Sequence, residues 1–310
     1  RRDPEGALGY FARMIEIEPD NVNGRVARAA VLFDLDRNAD AEKDVEAALH
    51  RSPKHPIANY FAAVALVKKK EYAAARDILQ QVERQLPNHM PTILLMGNVA
   101  FALNQLEQAS AYVNRYVNAV PDNDRARRLL GAILLRKHDA TRAVAVLEPL
   151  LAKSPDDAQL LGDIAGAYVV LGKLNEATEY YRRAAEVAPD EAPVRTRLAY
   201  SQMAGGHVDE AIATLEKTLE SKPDAQQAAI LLTLAKLRQG EYDGAIQAAK
   251  LLQKQAPTNP LANNLIGAAY LGKGDIASAR LQFEQALKLK PDFHVARMNL
   301  AQLDLREGRL

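Results

Sequence analysis

The chain has 310 residues, of which 40 are basic and 39 are acidic, so its net charge is +1. Such a balance gives no field that would attract nucleic acid or an anionic membrane, and we expect no nucleic-acid partner. The absence of cysteine excludes disulfides, thiolate zinc sites and cysteine nucleophiles. The longest apolar run, 60–67, is too short to span a bilayer, so we expect no membrane insertion by these residues.

A period of 34 residues organises the whole chain. Proline recurs at this spacing from Pro19 to Pro291, and alanine recurs at the same spacing from Ala7 to Ala279. Proline cannot continue a helix interior, so each one marks the end of a helix. The alanine, together with a small residue on the preceding helix, lets two helices approach closely. The period therefore predicts an antiparallel pair of helices, A and B, in each repeat.

In chain order, the chain opens with a B helix alone (1–21) and closes with an A helix alone (294–310). We interpret the chain as a single array, and as a piece of a longer one. Turn glycines such as Gly172 and Gly274 fit the end of an A helix. Pro149 falls inside a predicted B helix and should make it irregular. The eight predicted full repeats are 22–55, 56–89, 90–123, 124–157, 158–191, 192–225, 226–259 and 260–293.

This pattern resembles the tetratricopeptide repeat family. Segment 158–191 carries Leu161, Ala165, Tyr168 and Pro189 at the signature positions of that family. The resemblance implies an all-α solenoid, a right-handed superhelix of antiparallel helix pairs. It also implies a non-catalytic scaffold for protein–protein interaction.

Short segments narrow the resemblance further. Residues 105–112, 259–264 and 300–309 are similar to the tetratricopeptide lipoproteins of bacterial PEP-CTERM/exosortase exopolysaccharide systems. That resemblance implies a role in protein export or biofilm formation. It also implies a periplasmic or outer-membrane-associated location in a Gram-negative bacterium.

Motifs for catalysis or metal binding are incomplete. Asp34, Asp36, Asn38 and Asp40 alternate like the start of a calcium loop, but the required glycine and bidentate glutamate are missing. No two of the six histidines have the i, i+4 spacing of a helical metal site. We therefore expect no metal, no cofactor and no catalysis from these residues.

The resemblance places positions 2, 5, 9, 12 and 13 of each A helix on a concave wall, counted from the first residue of the repeat. An apolar stretch on that wall is followed by a basic one, which predicts a groove for a protein or peptide segment with an acidic flank. The competing interpretation is that the apolar side chains pack between repeats and the arginines are solvated. The predicted groove residues are Tyr60, Val64, Leu94, Asn98, Phe101, Arg125, Arg128 and Arg136.

Two other functions stay open at this point. The chain could be a polysaccharide-binding array, although aromatic residues make up only 5% of it and tryptophan is absent. It could also be the substrate-recruiting arm of an enzyme whose catalytic domain lies outside these residues. Fold by itself does not separate these functions.

Overall fold

The structure is a computed structural model, and it describes residues 3–309. Within that range every regular element is a helix. The chain divides into two compact units, the first ending at Leu147 and the second beginning at Glu148. Each predicted full repeat holds an A helix and a B helix that pack against each other.

The first unit consists of nine helices within the described residues. They are α1 (Pro4–Ile17), α2 (Val22–Asp34), α3 (Asn38–Arg51), α4 (Pro56–Lys68), α5 (Tyr72–Gln85), α6 (Met90–Ala102), α7 (Leu106–Ala119), α8 (Asp124–Arg136) and α9 (Ala140–Leu147).

The second unit begins with a 3-10 helix, Glu148–Ala152. Its α-helices are α10 (Ala158–Val170), α11 (Leu174–Val187), α12 (Ala192–Ala204), α13 (Val208–Ser221), α14 (Gln226–Gln239), α15 (Tyr242–Gln255), α16 (Pro260–Gly272), α17 (Ile276–Leu289) and α18 (His294–Arg306).

Local hydrogen bonds fix where the A helices begin. The side chains of Asn21, Asn123 and Asp157 each accept a hydrogen bond from the backbone N–H three residues later, at 2.8–3.0 Å. Such a cap satisfies one of the free N–H groups of the first turn and is worth about 1 kcal/mol.

Small residues bring the two helices of a repeat together. The recurrent alanines from Ala41 to Ala279 are fully buried. On the facing A helices, Gly97 and Gly267 leave no room for a side chain. A Cβ atom at Gly97 would lie 2.4 Å from Val113, and one at Gly267 would lie 2.6 Å from Phe283. The predicted close packing of A on B is therefore confirmed at these positions.

The first full repeat has an ion pair with a buried carboxylate between its two helices. The Arg28 guanidinium donates to both carboxylate oxygens of Asp44, at 2.6 and 2.7 Å. Asp44 is only 2% exposed, and its hydrogen bond to Arg28 raises the pKa of that arginine. Removal of Arg28 would leave the buried carboxylate of Asp44 with only the longer contact to Arg25, at 3.4 Å.

The predicted irregularity at Pro149 is confirmed. Helix α9 ends at Leu147, and the next five residues form the 3-10 helix. Because Pro149 has no N–H, it cannot donate the i→i−4 bond that an α-helix needs. Glu148 is held within the second unit, since its Oε1 accepts hydrogen bonds from Tyr168 at 2.6 Å and Tyr180 at 2.9 Å. The two tyrosine rings stack with centroids 5.5 Å apart.

Candidate functional site

We use the term A-helix wall for the surface formed by positions 2, 5, 9, 12 and 13 of the A helices. In the first unit, the predicted apolar anchors on this wall are partly covered by packing. The Tyr60 ring lies edge-on to His89 with centroids 5.3 Å apart. Burial raises the pKa of Tyr60. Val64 and Leu94 pack against separate buried clusters of neighbouring helices.

Of the remaining predicted residues, three are exposed and Phe101 and Arg128 are half-buried. Asn98 is exposed and donates to the carbonyl of Leu94 at 3.0 Å, so its amide is used within its own helix. The structure brings Phe101 and Arg136 together, since the guanidinium carbon lies 4.8 Å from the ring centroid. That distance is typical of a cation–π contact. Arg125 is exposed and Arg128 is half-buried on the same helix.

The exposed large apolar side chains of the wall lie in the second unit. Val170 of α10 is 52% exposed, Tyr200 of α12 is 51% exposed, and Leu234 of α14 is 40% exposed. They occupy positions 13, 9 and 9 of three successive A helices. Exposed apolar side chains that cluster on one surface mark interaction sites in soluble proteins. The groove predicted from the sequence lies in the first unit and stays a prediction. A sequence pattern does not distinguish exposed from half-covered apolar residues.

A cleft of about 880 Å³ opens on this part of the wall. It runs from α10 across α12 to the start of α14, and α10 and α12 approach each other less closely than α12 and α14 do. A smaller hollow of about 300 Å³ adjoins it and shares Tyr181 and Arg197 with it. The apolar part of the larger cleft is lined by Val169, Tyr181, Pro193, Tyr200 and Leu231.

Two glycines on α10 make room for these hollows. Gly162 lines the smaller one and Gly166 lines the larger one. No heavy atom lies within 4 Å of the place where a Cβ atom would stand on Gly162. At Gly166 only the Tyr181 hydroxyl is near, at 3.6 Å. These glycines differ from Gly97 and Gly267, because their missing side chains face open space rather than a packed helix. Glycine at both position 5 and position 9 was visible in the sequence and was the available signal for this site.

Arg197 supplies positive charge at the rim shared by both hollows. It is exposed, and within residues 3–309 it makes neither an ion pair nor a hydrogen bond through its side chain. Burial raises the pKa of Tyr181, and the charge of Arg197 acts in the opposite direction. Asp224 lines only the larger hollow and Glu191 only the smaller one.

Two carboxylates of the incomplete calcium motif, those of Asp36 and Asp40, form ion pairs. Asp36 lies 2.7 Å from Lys68. Asp40 lies 3.2 Å from Lys43 and 3.3 Å from Arg37, and hydrogen bonds from these two side chains lower its pKa. In the described residues, no group of three or more histidine, aspartate or glutamate side chains is placed to hold a metal ion. None of the described helices is both long and apolar enough to cross a membrane.

Family models agree with the helical repeat. One tetratricopeptide repeat model matches residues 23–89, 196–260 and 264–310. A second matches 66–133 and 134–196. The chain belongs to the tetratricopeptide repeat family. Tetratricopeptide repeats generally form non-catalytic scaffolds that bind peptides or proteins.

Curated relatives share only part of their length with this tetratricopeptide chain. Protein FlbA of Caulobacter vibrioides is 27% identical over 154 residues, which are 46% of this chain and 26% of FlbA. Cellulose synthase operon protein C of Pseudomonas fluorescens is 29% identical over 125 residues, 40% of this chain and 10% of that protein. The chain therefore spans about a quarter or less of these relatives.

A solved structure supports the fold. The C-terminal part of a TPR repeat-containing protein from Cytophaga hutchinsonii has a TM-score of 0.65 to this chain, at 18% identity. The match covers 78% of this chain and 99% of that structure. At such low identity the likeness concerns the fold alone. The predicted all-α tetratricopeptide solenoid is confirmed, whereas the narrower resemblance to PEP-CTERM lipoproteins stays a prediction.

Proposed function

We propose that this tetratricopeptide array is a non-catalytic scaffold that binds a segment of a partner protein on the A-helix wall of its second unit. The observation that carries the proposal is the exposure of Val170, Tyr200 and Leu234 on three successive A helices beside a cleft. Burying those side chains under a partner would contribute about 25 cal/mol for each Å² of apolar surface removed from water. A partner segment that orders on binding loses part of this gain, so the affinity is expected to be moderate.

Selection of short random peptides on the immobilised protein tests this function. Tyr200→Ala and Leu234→Asp are expected to weaken the selected peptides by about tenfold or more, because each removes an apolar contact from the wall. Leu281→Asp is the matched control, since Leu281 is 50% exposed but lies on the B helix α17. Binding that survives both wall substitutions, or that Leu281→Asp reduces equally, would refute a site on the wall.

We further propose that the scaffold acts in bacterial exopolysaccharide or PEP-CTERM protein export, at the periplasmic side of a Gram-negative envelope. The support is the short-segment resemblance, together with the 29% identity to cellulose synthase operon protein C over 125 residues. Fractionation of the native host, with detection of the protein by antibody, tests the location. Recovery of the protein in the cytoplasmic fraction alone would contradict it.

A further inference from the structure

We propose that the glycine-floored cleft between α10 and α12 is a specificity subsite for an aromatic side chain of an extended partner segment, with an acidic residue next to it facing Arg197. This inference rests on the proposed binding function and names the chemistry of the partner. We use the term glycine floor for the surface of α10 at Gly162 and Gly166. One aromatic ring of the partner is proposed to bind against this floor.

Helix α10 carries two glycines that lower its helix stability. Glycine within a helix destabilises it relative to alanine, since the unfolded chain has more freedom to lose. Among the A helices, α10 alone has glycine at both position 5 and position 9. At Gly97 and Gly267 the neighbouring helix explains the choice, because a Cβ atom would collide with Val113 or Phe283. At Gly162 and Gly166 no such collision exists, so helix packing does not account for them.

The larger hollow has the shape and lining that an aromatic ring requires. Without a side chain at Gly166, the larger hollow reaches down to the Tyr181 hydroxyl, 3.6 Å from the Cβ position of that glycine. Tyr181 is almost fully buried, whereas Tyr200 is half exposed at the same cleft. Two tyrosines and the apolar contacts of Val169 and Leu231 suit a flat ring, which packs edge-on or offset against other aromatic rings.

Arg197 places a positive charge at the rim of the two hollows. Of the charged residues that the structure describes, Arg197 alone lines both hollows, while the carboxylates of Asp224 and Glu191 each line a single hollow. An arginine that forms no ion pair with the described residues 3–309 can bind a carboxylate of the partner through two parallel hydrogen bonds. A carboxylate adjacent to the ring would complement this point of positive charge. The expected motif is therefore an aromatic residue beside an acidic one.

Three fluorescently labelled peptides test the assignment by anisotropy titration. They share a glycine–serine backbone and differ at the centre, which is Phe-Glu, Ala-Glu or Phe-Lys. The Phe-Glu peptide is expected to bind about tenfold more tightly than either of the others. Arg197→Glu should reverse the preference between Phe-Glu and Phe-Lys. Equal binding of Phe-Glu and Ala-Glu, or no binding of Phe-Glu at its solubility limit, overturns the proposal.

Filling the floor supplies the second arm of the test. Gly162→Leu and Gly166→Leu should abolish the advantage of the Phe-Glu peptide while the protein stays folded. Leucine favours the helix, and an added Cβ atom meets open space at Gly162 and only the Tyr181 hydroxyl at Gly166. Gly9→Leu is the matched control, because Gly9 also lies in a helix with no heavy atom within 4 Å of its Cβ position. If Gly9→Leu changes Phe-Glu binding as much as Gly166→Leu does, the cleft is not the site.

The outcomes also separate this inference from the broader function. Library-selected peptides that respond to Leu234→Asp but not to Gly166→Leu would leave the scaffold intact and overturn the subsite. Selected peptides that respond to neither substitution would refute the wall itself. If cellohexaose binds in place of the peptides and Gly166→Leu abolishes that binding, the cleft is a sugar site and the aromatic-residue assignment is wrong.

Discussion

At the residue scale, the two units meet one backbone requirement with different amino acids. In the described part of the chain, position 15 of each repeat, one or two residues past the end of the A helix, has a positive φ angle. In the second unit that residue is always glycine, as at Gly172 with a φ of 71°. In the first unit it is Asp36, Lys70, Asn104 or His138, with φ values of 57–64°. A residue with a Cβ atom pays about 1–2 kcal/mol for this conformation, although asparagine and aspartate tolerate it better.

Lys70→Gly is therefore expected to stabilise the protein. Relief of the left-handed strain should exceed the entropy that glycine adds to the unfolded chain, for a net gain of up to about 1 kcal/mol in the free energy of unfolding. Gly172→Ala is the reciprocal change and should cost about 1 kcal/mol. Urea denaturation followed by helical circular dichroism measures both. Equal destabilisation by the two substitutions would show that strain at Lys70 is absent.

The carbonyl group of the recurrent proline shows a second residue-scale solution. Pro53 accepts a hydrogen bond from Asn59 at 3.0 Å, and Pro291 accepts one from Arg297 at 2.6 Å, in each case from six residues later. The carbonyl oxygen of Pro87 instead accepts a hydrogen bond from Arg115 of a B helix, at 2.6 Å. The sequence predicts where each proline ends a helix, but it does not predict which donor satisfies the carbonyl. Donors from two different helices can reach it, and only the packed structure distinguishes them.

At the element scale, the 3-10 helix at Pro149 is fastened to the second unit by Glu148. Both tyrosine hydroxyls that bond this carboxylate are acids, and their neutral forms are the donors. The hydrogen bond to Glu148, with burial and the charge of Glu148, raises the pKa of Tyr168 to about 12. The pKa of Tyr180 is also raised, first by burial and then by Glu148. The two hydrogen bonds to Glu148 should therefore be lost when the tyrosines ionise.

The sign of the pH effect follows from the raised pKa. The stabilisation by Tyr168 is complete below the ordinary tyrosine pKa of about 10 and is lost as the pH rises through its folded value of about 12. Tyr168→Phe should lower stability at pH 9 and flatten its fall between about pH 10 and 12, by a difference on the order of 1 kcal/mol after solvent screening. Urea denaturation across this range measures the difference. Tyr10→Phe, at an exposed tyrosine, is the control, and an unchanged slope in Tyr168→Phe would contradict the assignment.

At the scale of the whole molecule, the repeat could be predicted from the sequence, whereas the exposure of the individual wall residues could not. The recurrent prolines predict where helices end, and the recurrent alanines predict where helices pack together. Both predictions rest on local requirements of the backbone and of packing. Exposure on the wall depends on how far neighbouring A helices stand apart. Tyr60 and Leu94 occupy the same wall position, yet neighbouring helices half cover both of them. Tyr200, at position 9, is half exposed and lines a cleft together with Gly166 of α10.

Hydrogen exchange upon peptide binding decides which wall the molecule uses. A bound segment suppresses local opening beneath it, so the amides of α10, α12 and α14 are expected to exchange more slowly in the complex. The amides of α4, α6 and α8, which carry Tyr60, Leu94 and Arg125, should exchange at an unchanged rate. Mass spectrometry of the full chain, with and without a selected peptide, measures both regions in one experiment. Protection confined to α4, α6 and α8 would favour the groove predicted from the sequence and contradict the site in the second unit. Tyr60→Ala supplies an independent check, because it should leave the affinity unchanged if the wall of the second unit is the one that binds.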